Sequence, residues 1–281
     1  MQVSRAPEFF VIGAAKAATT WIAHHLRQRD DVFMPTMEPH YFSREFSRGP
    51  EWYAGFFAAA RPDQLVGEKS ADYLAHPDAP ERLARTFPDA RLIVQLRNPI
   101  ERAYSDYCML FRRGTVGRDI ARHLQPDSAP LPRFLEDGLY HRHLSRFLAH
   151  FPRERIEIVL YEDIRDKPAE VLSRIEAHLG LGPVSSPVTL ERRVNDSEAP
   201  LLPVTLRKLL APAKPLVARW RGAPWLSKLH SHMARPVRYP PLTQELRVHL
   251  RDYYGEDVRR LSHLLHRDLA PWLAIEPGPN G

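Results

Sequence analysis

Residues 9–43 read FFVIGAAKAATTWIAHHLRQRDDVFMPTMEPHYFS. Phe9 to Ile12 is a short, bulky apolar run with the length of a buried strand. Gly13 breaks it, and after Lys16, Thr19 and Thr20 the period changes. Trp21, Ile22, His25 and Leu26 fall at the three-and-four spacing of a helix with one inward face. The stretch therefore predicts a strand, a tight turn and a helix that starts at the turn. The first amides of such a helix have no intrahelical partner, and the helix dipole puts partial positive charge at that end. Lys16 adds a full charge, and the hydroxyls of Thr19 and Thr20 can donate to oxygens. This turn is suited to hold a phosphate.

A nucleotide-hydrolysing P-loop needs G-x-x-x-x-G-K-[ST], with lysine directly before the hydroxyl residue. Counted from Gly13, this chain has Ala18 in place of the second glycine and Thr19 in place of the lysine, so Lys16 comes three residues early. On the loop alone, a βα turn with an incidental lysine also stays open.

Working outward, Val32-Phe33-Met34 reads as a second strand closed by Pro35, and Glu38-Pro39-His40-Tyr41-Phe42-Ser43 follows. Glu38 and His40, two residues apart near the phosphate turn, are candidates for a general base and its partner; a loop with a solvated glutamate is the plain alternative. Residues 44–63 look like an irregular helical excursion packed down by Trp52, Tyr53, Phe56 and Phe57. Gln64 to Lys69 is a brief strand and Pro80 to Phe87 a helix. Arg91 to Leu96, RLIVQL, is the clearest buried strand, and it runs into Arg97-Asn98-Pro99 and a helix over 100–111 that contains Arg102 and Ser105. That second strand–turn–helix unit places basic and hydroxyl groups where ligands of open α/β sheets bind.

Beyond it, 112–132 is charged and proline-punctuated and reads as a loop. A helix over 139–150, a strand over 156–161 and a helix over 168–179 follow, the last stopped by Gly180. After an irregular 181–203 come a helix over 204–210 and a proline- and arginine-rich 211–242. Thr243 then caps a long helix to about Leu265. The pattern predicts an α/β chain of one domain over 1–281, a central parallel sheet flanked by helices, with its core at about 8–180 and a C-terminal region at about 204–275.

The 281 residues are 43% hydrophobic, enough for one large core. No apolar run approaches the ~20 residues a bilayer span needs, and Met1 to Glu8 has no apolar signal-peptide core, so a cytoplasmic protein is expected. Cys108 stands alone, which excludes an internal disulfide and fits a packing role. The net charge of +6 favours anionic ligands. Arginine supplies nearly all of it: the only lysines are 16, 69, 167, 208, 214 and 228, which gives Lys16 and Lys69 added weight. Metal-ligand spacing is not found among the 14 histidines: His24 and His25 are adjacent, and His141-x-His143 lies on a predicted helix surface. No metal is expected.

GAAKAATTW, MEPHYFS, GEKSADY, LIVQLRNPIERAYSDY, GLYHRHLSRFLAHFP, IVLYEDI and the final RYPPLTQELRVHLRDYYGEDVRRL occur in an order that resembles the heparan-sulfate-type branch of sulfotransferases that use 3′-phosphoadenylyl sulfate (PAPS). The resemblance covers nearly the whole chain, and its most specific part pairs the lysine loop with R-x-P-x-x-R-x-x-S-x-Y. It implies a P-loop-like sulfotransferase fold, PAPS as sulfuryl donor with the bisphosphate PAP as product, and a carbohydrate, glycolipid or small-metabolite acceptor. It further implies that Lys16, Thr19 and Thr20, with the turn residues Ala17, Ala18 and Trp21, hold the 5′-phosphosulfate, and that Arg97 and Ser105 take the 3′-phosphate. Glu38 would be the general base with His40 beside it, Lys69 would lie near the transferring sulfuryl group or the acceptor, and Arg235 and Arg238 would belong to a loop covering the cofactor. Ala17 and Ala18 replace the usual glycines, Met37 stands where a lysine often precedes the glutamate, and Asn98 replaces a common aspartate.

Two rivals belong to other classes. A P-loop-like nucleotide kinase conflicts with the displaced lysine. A non-catalytic binder of nucleic acid or polyanions would leave Glu38 and Lys69 without a purpose and would show a steep salt dependence with DNA; no nucleic-acid partner is expected. Oligomeric state and acceptor identity have no readable signal.

Overall fold

β1 (Phe9–Gly13) is buried along its whole length because it lies at the centre of a sheet covered on both faces. In the computed structural model, which describes residues 6–126, 129–183 and 237–275, five parallel strands are ordered β2-β3-β1-β4-β5. These are β2 (Val32–Phe33), β3 (Leu65–Lys69), β4 (Arg91–Leu96) and β5 (Ile156–Leu160) around β1. Phe10 and Ile12 point to one face with Leu92, Val94 and Leu96. Phe9 and Val11 point to the other with Ile93 and Val159. The two-residue alternation thus feeds two cores from single apolar runs.

α1 (Thr19–Arg27) and α9 (Pro168–Leu179) cover the second face through Ile22, Leu26, Val171 and Ile175. The first face is covered by α3 (Ala79–Thr86), α4 (Pro99–Arg113), α7 (Tyr140–Leu148) and α10 (Gln244–Leu265). Their ends follow local chemistry. α4 begins with Pro99 behind Asn98, whose side chain accepts from the amides of Ile100 and Glu101, and stops at the left-handed Gly114. Thr243 caps α10 by accepting from the Leu246 amide at 3.3 Å. Asp257 of α10 reaches the start of α7 and accepts from the His141 and Arg142 amides at 2.9 and 3.0 Å. That carboxylate caps a helix from far along the chain.

The short elements are α2 (Pro50–Ala54), flanked by single 3₁₀ turns, α5 (Ala121–Leu124), α6 (Arg133–Glu136) and α8 (Tyr161–Asp166). α5 lies inside the stretch read as loop, and α8 begins directly where β5 ends, over residues the sequence pattern left between two elements. The expected helix over 204–210 and most of the irregular and proline-rich C-terminal stretches lie outside the described residues.

This topology fixes where a ligand goes. The chain leaves β1 toward the β2–β3 side and leaves β4 toward β5, so neighbouring strands β1 and β4 send their connections in opposite directions. The crevice beyond their carboxyl ends is the binding place in open α/β sheets. The turn with Lys16 and the turn with Arg97 both open onto it.

Candidate active site

The turn after β1 is stitched to its neighbours by backbone bonds. The Ala14 amide donates to Gln95 O at 2.7 Å, and the Ser70 and Leu74 amides donate back to Val11 and Ile12 at 3.1 and 2.8 Å. At Gly13 a Cβ would meet Ala71 O and Leu74 Cβ at 2.8 Å, and its φ of 147° lies in the region side chains avoid, so glycine is required. Lys16 and Ala18 hold φ of 69° and 68° despite their Cβ atoms. Ala18 is the N-cap of α1, supplies no side-chain acceptor, and no acidic residue stands in the first turn. Among the described residues the amides of Lys16, Ala18, Thr19 and Thr20 donate to no acceptor. Four amides and a helix start are therefore open to an anion.

Lys16 extends toward α4, where its Nζ lies 3.6 Å from Met109 Sδ. Burial lowers its pKa; Asp106 opposes that, while the positive charges of Arg113, Arg97 and Arg133 reinforce it. Asp106, fully buried, is committed elsewhere: Arg133 grips it with two bonds of 2.9 and 2.8 Å, and Arg102 stands 3.8 Å away. The crevice is left with an excess of positive charge.

Glu38, His40 and Lys69 come together beside this turn. Lys69 ends β3 with its ammonium 2.7 Å from Glu38 Oε1 and 3.4 Å from Thr20 Oγ1. Glu38 Oε2 accepts from the Ala71 amide at 3.0 Å and lies 3.9 Å from His40 Nε2. The Glu38 side chain keeps 29% exposure, so one side faces the crevice. A general base needs such an open side and an oxygen within reach of an alcohol.

What holds the segment 38–43 against β3 is a buried network that sequence reasoning did not single out. Glu68, wholly buried, accepts from Tyr53 and Tyr73 hydroxyls at 3.1 and 2.8 Å and from Ser70 at 3.2 Å. Ser70 Oγ in turn accepts from the His40 amide at 2.9 Å, and Tyr73 OH from the Phe42 amide at 3.2 Å. Burial pushes the Glu68 carboxyl up to about 8, against the lowering effect of its three hydroxyl donors. A neutral acid is thus expected there at neutral pH. Asp72, also missed, bonds His40 Nδ1 at 2.6 Å. Glu68, Ser70, Asp72 and Tyr73 lie in the motif GEKSADY, while Tyr53 comes from α2; the available signal was the inward phase of Glu68 on a strand whose neighbours are apolar.

At the other end of the crevice, Arg97 lies with its guanidinium 5.2 Å from the centre of the Tyr161 ring and forms no salt bridge among the described residues. Ser105 is half-buried on α4, one turn before Met109 and so on the face that Lys16 touches. Tyr104 OH donates to Pro240 O at 3.0 Å, and Phe111 packs on Tyr239 with ring centres 6.1 Å apart. These contacts lay 237–242 on α4 beside Ser105. Arg238 is exposed in that segment, and Arg235 lies outside the described residues. Trp21 and Ala17 face inward: the Trp21 ring is buried in the second core against His25, and its amide donates to Ala18 O at 2.9 Å. Cys108 is half-buried on α4. Among the described residues no cluster has the make-up of a metal site, and no helix is long and apolar enough to cross a membrane.

The chain is similar to known sulfotransferases. The model of the sulfotransferase family matches residues 51–184. Heparan sulfate glucosamine 3-O-sulfotransferase 6 of Mus musculus is 33% identical over 182 residues, covering 63% of this chain and 53% of the relative. Bifunctional heparan sulfate N-deacetylase/N-sulfotransferase 3 of Mus musculus is 27% identical over 303 residues, 97% of this chain and 32% of the relative. The chain spans about half the length of the 3-O-sulfotransferases it matches. A solved sulfotransferase from Alicyclobacillus acidocaldarius superposes with a TM-score of 0.70 at 25% identity, covering 96% of this chain and all of the other.

Proposed function

We propose that this chain, a homologue of the sulfotransferases with their P-loop-like α/β fold, transfers a sulfuryl group from PAPS to a hydroxyl of a carbohydrate, glycolipid or small-metabolite acceptor. The observation that carries the reading is Lys69, whose ammonium bridges the candidate base Glu38 and Thr20 of the anion turn. A base tied by one cation to an anion-binding helix start belongs to group transfer. A passive polyanion surface has no use for it, and the lysine position conflicts with nucleotide hydrolysis.

The residues fit such a donor. The four open amides, Lys16 and the Thr19 and Thr20 hydroxyls would hold the 5′-phosphosulfate, while Arg97, free of salt bridges among the described residues, and Ser105 would take the 3′-phosphate. When bound, PAPS supplies an activated sulfuryl group on a bisphosphate leaving group. Glu38 takes the proton of the acceptor hydroxyl as it attacks, a contribution of about 10²–10⁴ in rate. Lys16 and the amides, fixed before the reaction begins, would stabilise the leaving-group oxygen on which negative charge grows. Lys69 holds Glu38 aimed through their 2.7 Å contact, and adds charge between the two reactants.

Labelled PAPS incubated with acceptor pools, with the product identified by mass, tests the reaction. Transfer of label to a hydroxyl is the expected result. PAP should also raise the melting temperature without added metal, and by more than AMP or ATP. Equal stabilisation by ATP with magnesium would overturn the donor assignment.

A further inference from the structure

Asp72 belongs to no part of the chemistry described so far, yet it is tied to it at close range. One of its oxygens lies 2.6 Å from His40 Nδ1, and the other accepts from Ser43 Oγ at 2.9 Å. Arg44 stands 4.0 Å away at the rim. His40 is held from the other side too: its amide donates to Ser70 Oγ at 2.9 Å, and its φ of 53° places it in the left-handed region. The ring that results is aimed, with Nε2 3.9 Å from Glu38 Oε2.

We propose that Asp72 is a positioning residue that fixes His40 with its hydrogen on Nδ1, leaving Nε2 to accept the proton that Glu38 takes from the acceptor; this rests on the sulfotransferase reading above. A carboxylate only accepts, so a hydrogen bond to it places the ring hydrogen on Nδ1. The bonds from His40 and Ser43 outweigh the burial that opposes ionisation and hold the Asp72 pKa below its ordinary value. The carboxylate is therefore present to pair with an imidazolium.

The sequence of bonds closes. The acceptor O–H breaks and its proton goes to Glu38 Oε2. The acceptor oxygen bonds to sulfur while the sulfur–oxygen bond to the bisphosphate breaks, its electron pair staying on the phosphate oxygen. Oε2 then passes the proton to His40 Nε2, and Glu38 returns to a carboxylate paired with Lys69. With an acceptor covering the open side of Glu38, His40 is the route by which the base is reset, its charge carried by Asp72. The Oε2–Nε2 separation must close by about 1 Å, the tightening that catalytic contacts undergo on ligand binding.

The test reads nitrogen-15 and proton resonances of the histidine rings in the whole protein with PAP present, His40 being assigned from His40→Gln. The wild type should show hydrogen on Nδ1 and a bare Nε2. Asp72→Ala should move the hydrogen to Nε2 while the thermal shift given by PAP stays unchanged. Asp72→Asn, which keeps the shape and is read independently should the alanine variant not fold, should move the Nδ1 proton resonance upfield as the charge-assisted bond is lost. Glu38→Gln places an amide donor against Nε2 and should shift its nitrogen resonance. A bare Nδ1 in the wild type, an unmoved tautomer in Asp72→Ala, an unmoved proton in Asp72→Asn or loss of the PAP shift in the alanine variant overturns the assignment. Failure of PAP to stabilise the wild type would strike the sulfotransferase reading instead, since the tautomer is read without turnover.

Discussion

The Lys69 ammonium, on the last residue of β3, lies 2.7 Å from Oε1 of Glu38 in the segment that follows β2. The two strands are neighbours in the sheet, so the pairing is a consequence of topology, and it brings the proposed base to the mouth of the Lys16 turn. Lys69 is 8% exposed, which strengthens its field at the site relative to a solvated lysine. Lys69→Met keeps length and packing but removes the charge. Transfer of labelled sulfuryl should fall about 10²–10³-fold in single turnover, as for loss of one fixed electrostatic partner. A change confined to the Michaelis constant for PAPS would assign Lys69 to donor binding alone.

Glu38 and His40 are separated by a pair of single substitutions. Glu38→Gln keeps the shape and a hydrogen-bonding end but cannot take a proton, so PAP binding should survive while turnover falls by at least about 10²-fold. His40→Ala should leave a partly active enzyme, because the primary proton acceptor remains. Near-normal turnover in Glu38→Gln together with a dead His40→Ala that still binds PAP would move the base to His40.

Arg97 offers a test of donor orientation. Stacked on Tyr161 and free of salt bridges among the described residues, its guanidinium costs the fold little when removed. Arg97→Ala should weaken PAP by the loss of a charge-assisted contact, about 1.5–3 kcal/mol, with AMP affinity nearly unchanged because AMP lacks the 3′-phosphate. Isothermal titration with both ligands checks it; an equal loss for the two would place Arg97 away from the 3′-phosphate.

The anion turn was legible because every signal in it is local: an apolar run, a glycine, a lysine and a change of period within one short stretch. The same holds for β4 with Arg97 and for α9, whose proline start and glycine stop stand in the sequence as in the structure. Thr243 likewise caps α10 as its type predicts. α8 was missed because nothing separates it from β5; the chain turns from strand to helix at Tyr161 without a glycine or proline. Glu38 and Lys69 could each be named, but their bond is set by the β2–β3 pairing, and β2 is only two residues long. Asp72 lies in GEKSADY, but nothing local sets it apart there, since its contact comes from the left-handed turn at His40 that swings the ring onto it. Glu68 reads as a polar residue in a strand, and only the convergence of Tyr73, five residues on, and Tyr53, from the preceding helix, makes a buried acid of it.

Glu68 gives a prediction with a definite sign. Its carboxyl, with an ordinary value of 4.5, is pushed up to about 8 in the fold by complete burial, so the folded chain holds this proton more tightly than the unfolded one. The stability it contributes is fully present below about pH 4.5 and is lost as pH rises through the folded value near 8, with a slope of up to about 1.4 kcal/mol per pH unit in between. Glu68→Gln mimics the protonated acid: its oxygen accepts from the two tyrosines and its amide donates to Ser70, with no charge to bury. The wild type and the variant should therefore unfold at similar urea concentrations near pH 5, and the variant should become the more stable of the two by a few kcal/mol toward pH 9. The difference between the curves isolates Glu68 from Asp137, whose carboxyl is raised to about 6 and titrates in the same window in both proteins. A variant less stable than the wild type across pH 7–9 would mean that the three hydroxyl donors hold Glu68 ionised, and the clamp on His40 and Phe42 would then be a charged one.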